Sequence, residues 1–215
     1  LNFHPPHQEK LGQLCNGVSC SCRAGGASLN RPEQKGGPVM PLTPATPEDW
    51  AEVTRQLGRP ARDIVAIAAR CVCGNPTVVQ TKPRLADGTP FPTVYYLTHP
   101  AATAAISTLE ASGLMVDYQN RLAEDAAFQA AYEAAHKAYI HDRDVVAEAE
   151  GMDPVTEIAG ISAGGMPTRV KCLHALVGHA LAAGPGVNLV GDLALEACSW
   201  KPTKCACAPN QPISA

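Results

Sequence analysis

Two turn signals, Gly74-Asn75-Pro76 and Ala86-Asp87-Gly88-Thr89, cut the stretch between Asp63 and Thr98 into three short β-prone runs. The first, Asp63–Cys73, carries Ile64, Val65 and Ile67; the second is Thr77–Thr81; the third is Phe91–Thr98. Asp-Gly between β-prone runs is a strong hairpin signal. The spacing predicts a small antiparallel sheet of about three strands, with Pro83 and Pro92 at strand ends or on an edge.

The remaining periodic segments read as helices. Thr46-Pro47-Glu48-Asp49 joins a capping hydroxyl, a first-turn proline and acids at the positive helix end. Trp50, Val53 and Leu57 follow at helical spacing, and Gly58 ends the helix before Pro60. His99-Pro100 opens a helix through Ala101–Ser112. Val116 to Glu150 is expected to be helical with a break near Asp125, and Leu122, Phe128, Tyr132 and Tyr139 mark its buried face. A helix over Thr168–Ala182 and a short one within Asn188–Trp200 complete the series. The fold class is therefore α+β, a small antiparallel sheet packed by helices with a mostly helical C-terminal half.

With 215 residues, one domain with a sizeable core is expected. Residues 1–39 lack periodicity and precede the first methionine, Met40. They are expected to be a disordered or mis-assigned extension, residues 40–200 a single domain, and residues 201–215 a loose tail. A net charge of −3 gives no basic excess to draw a nucleic-acid backbone. No apolar run approaches membrane-spanning length. The N-terminus lacks the pattern of a signal peptide, so a cytoplasmic location is expected. The nine cysteines are then expected as free thiols or metal ligands, not disulfides.

Three blocks carry a family resemblance: RQLGRPAR (Arg55–Arg62), PRLADGTPFPTVYYLTHP (Pro83–Pro100) and GGMPTRVKCLHALVGHALAAGPGVN (Gly164–Asn188). They resemble a bacterial, mainly actinobacterial, family known as domain of unknown function 501, over Trp50 to Asp192. The resemblance implies no reaction, cofactor or catalytic residue.

The segment Gly164–Asp192 concentrates chemically able side chains beside glycines. Gly164 and Gly165 free the backbone to turn amides toward a ligand, and Pro167 suits a first helical turn. A helix starting at Thr168 would aim its free amides at an anion. Arg169 and Lys171 add charge, and His174 would be the acid or base. Arg84 and Asp87, from the Ala86–Thr89 hairpin, are the residues expected to meet this site. The expected ligand is a small phosphate- or carboxylate-bearing metabolite.

The alternative is a zinc or iron–sulfur centre in a metal-stabilised or protein-interaction module. Cys71 and Cys73, two apart at a strand end, can point to one side. His99 and Cys172 are the candidate further ligands, in a tetrahedral site. On a regular helix Cys172 and His174 point about 160° apart, so the pair is not expected to share an ion or to act as nucleophile and base. Cys20/Cys22, Cys71/Cys73 and Cys205/Cys207 repeat one Cys-x-Cys spacing. A composite site needs both tails to fold back, and the reading goes against it. Gly160–Gly164 fits a nucleophile elbow in letters alone, since the chain is too strand-poor for that fold. Glu133 and His136, three apart on a helix, form only one half of a di-metal pattern.

Overall fold

The computed structural model describes residues 42–207. The expectations for residues 1–39, for Cys20 and Cys22, and for the end of the chain past Cys207 lie outside the described residues.

The order is β1 (Thr43–Pro44), α1 (Pro47–Leu57), β2 (Ile64–Arg70), β3 (Pro76–Thr81), β4 (Tyr95–Leu97), α2 (Pro100–Ala111), α3 (Leu114–Glu124), α4 (Ala126–Ala149), α5 (Leu173–Ala183) and α6 (Leu189–Ala197). The sheet is antiparallel throughout, in the order β1-β2-β3-β4. It has one strand more than the turn signals implied. β1 is two residues long and pairs Thr43 with Ile67, too short to leave a periodic trace. The third predicted strand shrinks to Tyr95–Leu97, because the chain before it turns back and Pro90 bridges Arg84 instead.

Alternation along the strands, broken by a register shift between Ile64 and Ala66, sends side chains to two cores. Ile64, Ile67 and Val79 face α1, where they meet Val53 beside Trp50 and Leu57. Ala68, Val78, Tyr95 and Leu97 face the main core, with α2, α4, α5 and α6. Both faces of β3 are therefore covered, and all six of its residues are buried.

Local signals fixed most helix ends. Thr46 and Asp49 cap α1 reciprocally, Asp49 N–H donating to Thr46 Oγ1 at 3.2 Å and Thr46 N–H to Asp49 Oδ2 at 3.0 Å. Asp125 ends α3 and caps α4, accepting from the amides of Ala127 and Phe128, each at 3.0 Å. Phe128, Tyr132, Ala135, Tyr139 and Val146 form the buried stripe of α4. Arg143 on the same helix is 3% exposed and donates to the carbonyls of Ile158 and Ile161, which ties down the loop after α4.

One helix starts later than expected. α5 begins at Leu173, not Thr168. Gly164 and Gly165 take φ of 67° and 92°, and the amides of Lys171 and Arg169 donate back to their carbonyls at 2.7 and 2.9 Å. The segment closes on itself before the helix can begin. From Leu173 onward α5 lies against the sheet at Gly178, where an added Cβ would come within 3.1 Å of the Tyr95 carbonyl oxygen.

Candidate metal centre

The centre is built on the β2–β3 turn. Cys71 N–H donates to Asn75 O and Gly74 N–H to Cys71 O, both at 2.8 Å, with Gly74 at φ 95°. This places Cys71 and Cys73 on one side of a five-residue turn. The Arg70 guanidinium braces it, reaching both Asp49 oxygens at 2.6 and 2.8 Å and the Gly74 carbonyl at 2.9 Å.

The other half comes from the C-terminal segment. Lys201 Nζ donates to the Leu195 and Glu196 carbonyls at the end of α6. Trp200 is buried and packs its ring 5.5 Å from that of His99. The chain then runs back to the sheet, so residues 201–207, expected as part of a loose tail, fold onto the domain. The Sγ atoms of Cys71, Cys73, Cys205 and Cys207 all lie within 4.8 Å of one another. Cys73 and Cys207 approach to 3.4 Å, and all four are free thiols. Four thiolates at about 2.3 Å from a tetrahedral zinc would stand about 3.8 Å apart, so the donor set fits one such ion.

Two hydrogen bonds orient these sulfurs. His99 Nδ1 accepts from the Ala102 amide at 3.4 Å, which leaves the proton on Nε2. Nε2–H then points at Cys207 Sγ at 3.2 Å, so the sulfur accepts. Burial holds His99 below the usual histidine range, which keeps the ring neutral. The Asn75 amide, the largest influence on Cys73, brings that thiol down to about 7. Burial pushes Cys71 and Cys207 the other way. Such a group needs a cation before all four sulfurs can ionise together.

Of the four metal ligands expected, Cys71 and Cys73 stand in the thiol cluster. His99 stands behind it as a donor to Cys207, and Cys205 and Cys207 complete the set. Cys172 lies elsewhere, with Glu110 and His174. On a regular helix Cys172 and His174 would point apart. Cys172 is the residue before α5, extended at φ −152°, so both side chains reach one spot. His174 Nδ1 lies 3.1 Å from Glu110 Oε1. The Cys172 sulfur first, and then Glu110, push His174 up to about 9 against the opposing effect of burial.

The anion-site residues do not gather in this way. Arg84 pairs with Glu157 at 2.7 Å and donates to Gly88 O. Asp87 accepts from the Thr89 amide at 3.0 Å and meets Arg62 at 3.3 Å. Thr168, Arg169 and Lys171 are exposed, and the Thr168 and Arg169 carbonyls accept from Gln119 and Tyr132. At the start of α5 the Leu173 amide donates to Glu110 Oε1 at 2.6 Å, so a carboxylate of the chain itself sits where an anion was expected. Glu110 had no signal in the sequence. Cys205 and Cys207 had one, the repeated Cys-x-Cys spacing.

Fold and site together define a small α+β domain with a four-cysteine cluster suited to a metal ion. Residues 67–196 match the family described as protein of unknown function (DUF501), and the chain belongs to that family. No curated protein and no solved structure matches the chain. The match contains Cys71, Cys73, Glu110, Cys172 and His174 and ends before Cys205. Among the described residues no helix is long and apolar enough to cross a membrane.

Proposed function

We propose that this chain is a metal-stabilised protein in which Cys71, Cys73, Cys205 and Cys207 hold one tetrahedral zinc ion, and that the ion's role is structural. The observation that carries this reading is the convergence of four sulfurs from two distant segments, with His99 Nε2–H donating to one of them. Four protein thiolates fill a zinc shell and leave no position for substrate, which separates a structural from a catalytic ion. A donor N–H beside a ligand sulfur is the usual support for such a shell. The ion would join the C-terminal segment to the β2–β3 turn. A cluster with bridging sulfides needs its thiolates further apart than a single ion does, so a mononuclear centre is the better fit.

The rival reading, a small phosphate- or carboxylate-bearing metabolite held at Gly164–Asn188 by Arg169 and Lys171, has less support. The Gly164–Lys171 loop uses several of its own amides, and Glu110 occupies the helix start. Elemental analysis of the protein purified without an affinity tag tests the metal reading. Zinc that falls by one ion per chain in both Cys73→Ser and Cys207→Ser is the expected result. Equal metal content in wild type and both variants, with no change of Tm in chelator, overturns it.

A further inference from the structure

Among the described residues, a second group of potential ligands lies where α5 begins beside the end of α2. Glu110, Cys172 and His174 each bring one ligand atom within 4.8 Å of the others. Unlike the four-cysteine cluster, this group mixes sulfur, nitrogen and oxygen, and has three members.

The hydrogen bonds around it decide which atoms face inward. His174 Nε2 lies 3.1 Å from the Thr103 carbonyl, which can only accept, so Nε2 carries a proton. Nδ1 faces the Glu110 carboxylate oxygen at 3.1 Å, and in the protonated ring Nδ1–H donates to it as an ion pair. A divalent ion would displace the Nδ1 proton and take its place beside the carboxylate. Cys172 adds a third electron-rich atom. Outer support is in place on both sides: Nε2–H is held by Thr103, and Glu110 Oε1 is held by the Leu173 amide. A histidine that donates its far N–H to a carbonyl, beside a carboxylate held by a backbone amide, is the outer arrangement found around ligating residues.

The geometry points to a second divalent-metal site, formed by Cys172 Sγ, His174 Nδ1 and a Glu110 carboxylate oxygen, that takes zinc with one coordination position left to water. Sulfur, imidazole and carboxylate at ordinary zinc distances would stand roughly 3.2–3.7 Å apart, so closing on an ion requires shifts of about 1 Å from the present spacing. The His174 and Glu110 side chains are each 24% exposed, which gives solvent access to the remaining position. Three protein ligands with an open fourth position is the arrangement of a zinc ion that polarises water, in contrast to the closed four-thiolate set. The inference does not depend on the first centre being occupied.

The test uses the full untagged chain and zinc alone. Zinc per folded chain is compared by native mass spectrometry in wild type, Cys172→Ser, His174→Asn and Glu110→Gln, with Cys73→Ser as the variant of the other centre. The expected result is a loss of one ion in Cys172→Ser and in His174→Asn, a further loss of one when either is combined with Cys73→Ser, and at least about tenfold weaker binding in Glu110→Gln. Unchanged stoichiometry and affinity in all three variants overturns the proposal, even if Cys73→Ser loses its ion. Cadmium-113 NMR of the wild type gives a readout free of misfolding. A single-thiolate resonance, separate from the four-thiolate one, is expected, and its absence at saturating cadmium overturns the proposal.

Discussion

His99 Nε2 stands 3.2 Å from Cys207 Sγ although 108 residues separate them, and the same ring accepts the Ala102 amide that begins α2. One side chain thus caps a helix and supports a sulfur. His99→Leu is expected to weaken zinc binding by about 10–100-fold while leaving saturating stoichiometry unchanged. Loss of the cap should cost about 1 kcal/mol in the metal-free protein as well. Competition titration against a chelator of known affinity, with denaturant melts of the metal-free form, checks both.

Chelation should release the C-terminal segment before it unfolds the domain. Lys204 is exposed and directly precedes the Cys205–Cys207 pair. Trypsin is expected to cut at Lys204 rapidly in chelator and slowly with zinc present. At free zinc about a thousandfold above Kd the ion contributes about 4 kcal/mol, so Tm should rise with zinc concentration and rise less in Cys207→Ser.

His179 is fully buried, stacked on Tyr95 at 5.8 Å and edge-on to Tyr139 at 5.0 Å. Asn188 Nδ2 donates to its Nδ1 at 3.1 Å, and Nε2 has no hydrogen-bond partner among the described residues. Burial lowers its pKa from 6.5 to about 3. The unfolded chain therefore binds a proton that the folded chain refuses. This contribution is fully present above about pH 6.5 and is lost as the pH falls toward 3, with a slope approaching 1.4 kcal/mol per pH unit. His179→Leu should be less stable at pH 7, where Asn188 loses its acceptor, yet lose less stability on acidification. Equal slopes in urea melts from pH 7 to 4 would refute this.

Gly191 on α6 faces the α5 backbone, and an added methyl would overlap the Leu176 carbonyl oxygen. The obstacle is backbone, so the helices must separate to admit it. Gly191→Ala is expected to destabilise by about 3 kcal/mol, despite alanine's better helix propensity, as read by denaturant unfolding.

The Tyr139 hydroxyl accepts the Val94 amide at 2.8 Å where the chain enters β4. Tyr139→Phe leaves that amide buried without a partner and should cost about 1–3 kcal/mol with little change in fold. Slowed-exchange NMR should show the Val94 amide losing protection first.

The sequence and the structure agree where the controlling interaction is local. Thr46 with Asp49, Gly58, Asp125 and the aromatic stripe of α4 each act within a turn or two, and each was legible. The start of α5 was not, because Gly164 and Gly165 close a loop whose hydrogen bonds no periodicity reveals. At the metal centre, Cys71 and Cys73 were legible as a pair on a strand end. Their partners arrive from the far end of the chain, and only the packing of Trp200 against His99 and the hold of Lys201 on α6 bring them back. Glu110 was silent for a similar reason, since nothing in its own helix distinguishes it from a solvated acid.

Cys73 and Cys207 are 134 positions apart in the chain, and their sulfurs are 3.4 Å apart. With an ion between them, the chain from β3 to α6 becomes a closed ring whose two exits lie side by side, while β1, α1 and β2 stand outside it. Tension applied through the flanking chain would run across the metal–sulfur bonds and bypass β3, β4 and the helices α2 to α6 within. That ring should then resist mechanical extension up to the force that ruptures the ion, and yield to far gentler pulling once the ion is gone.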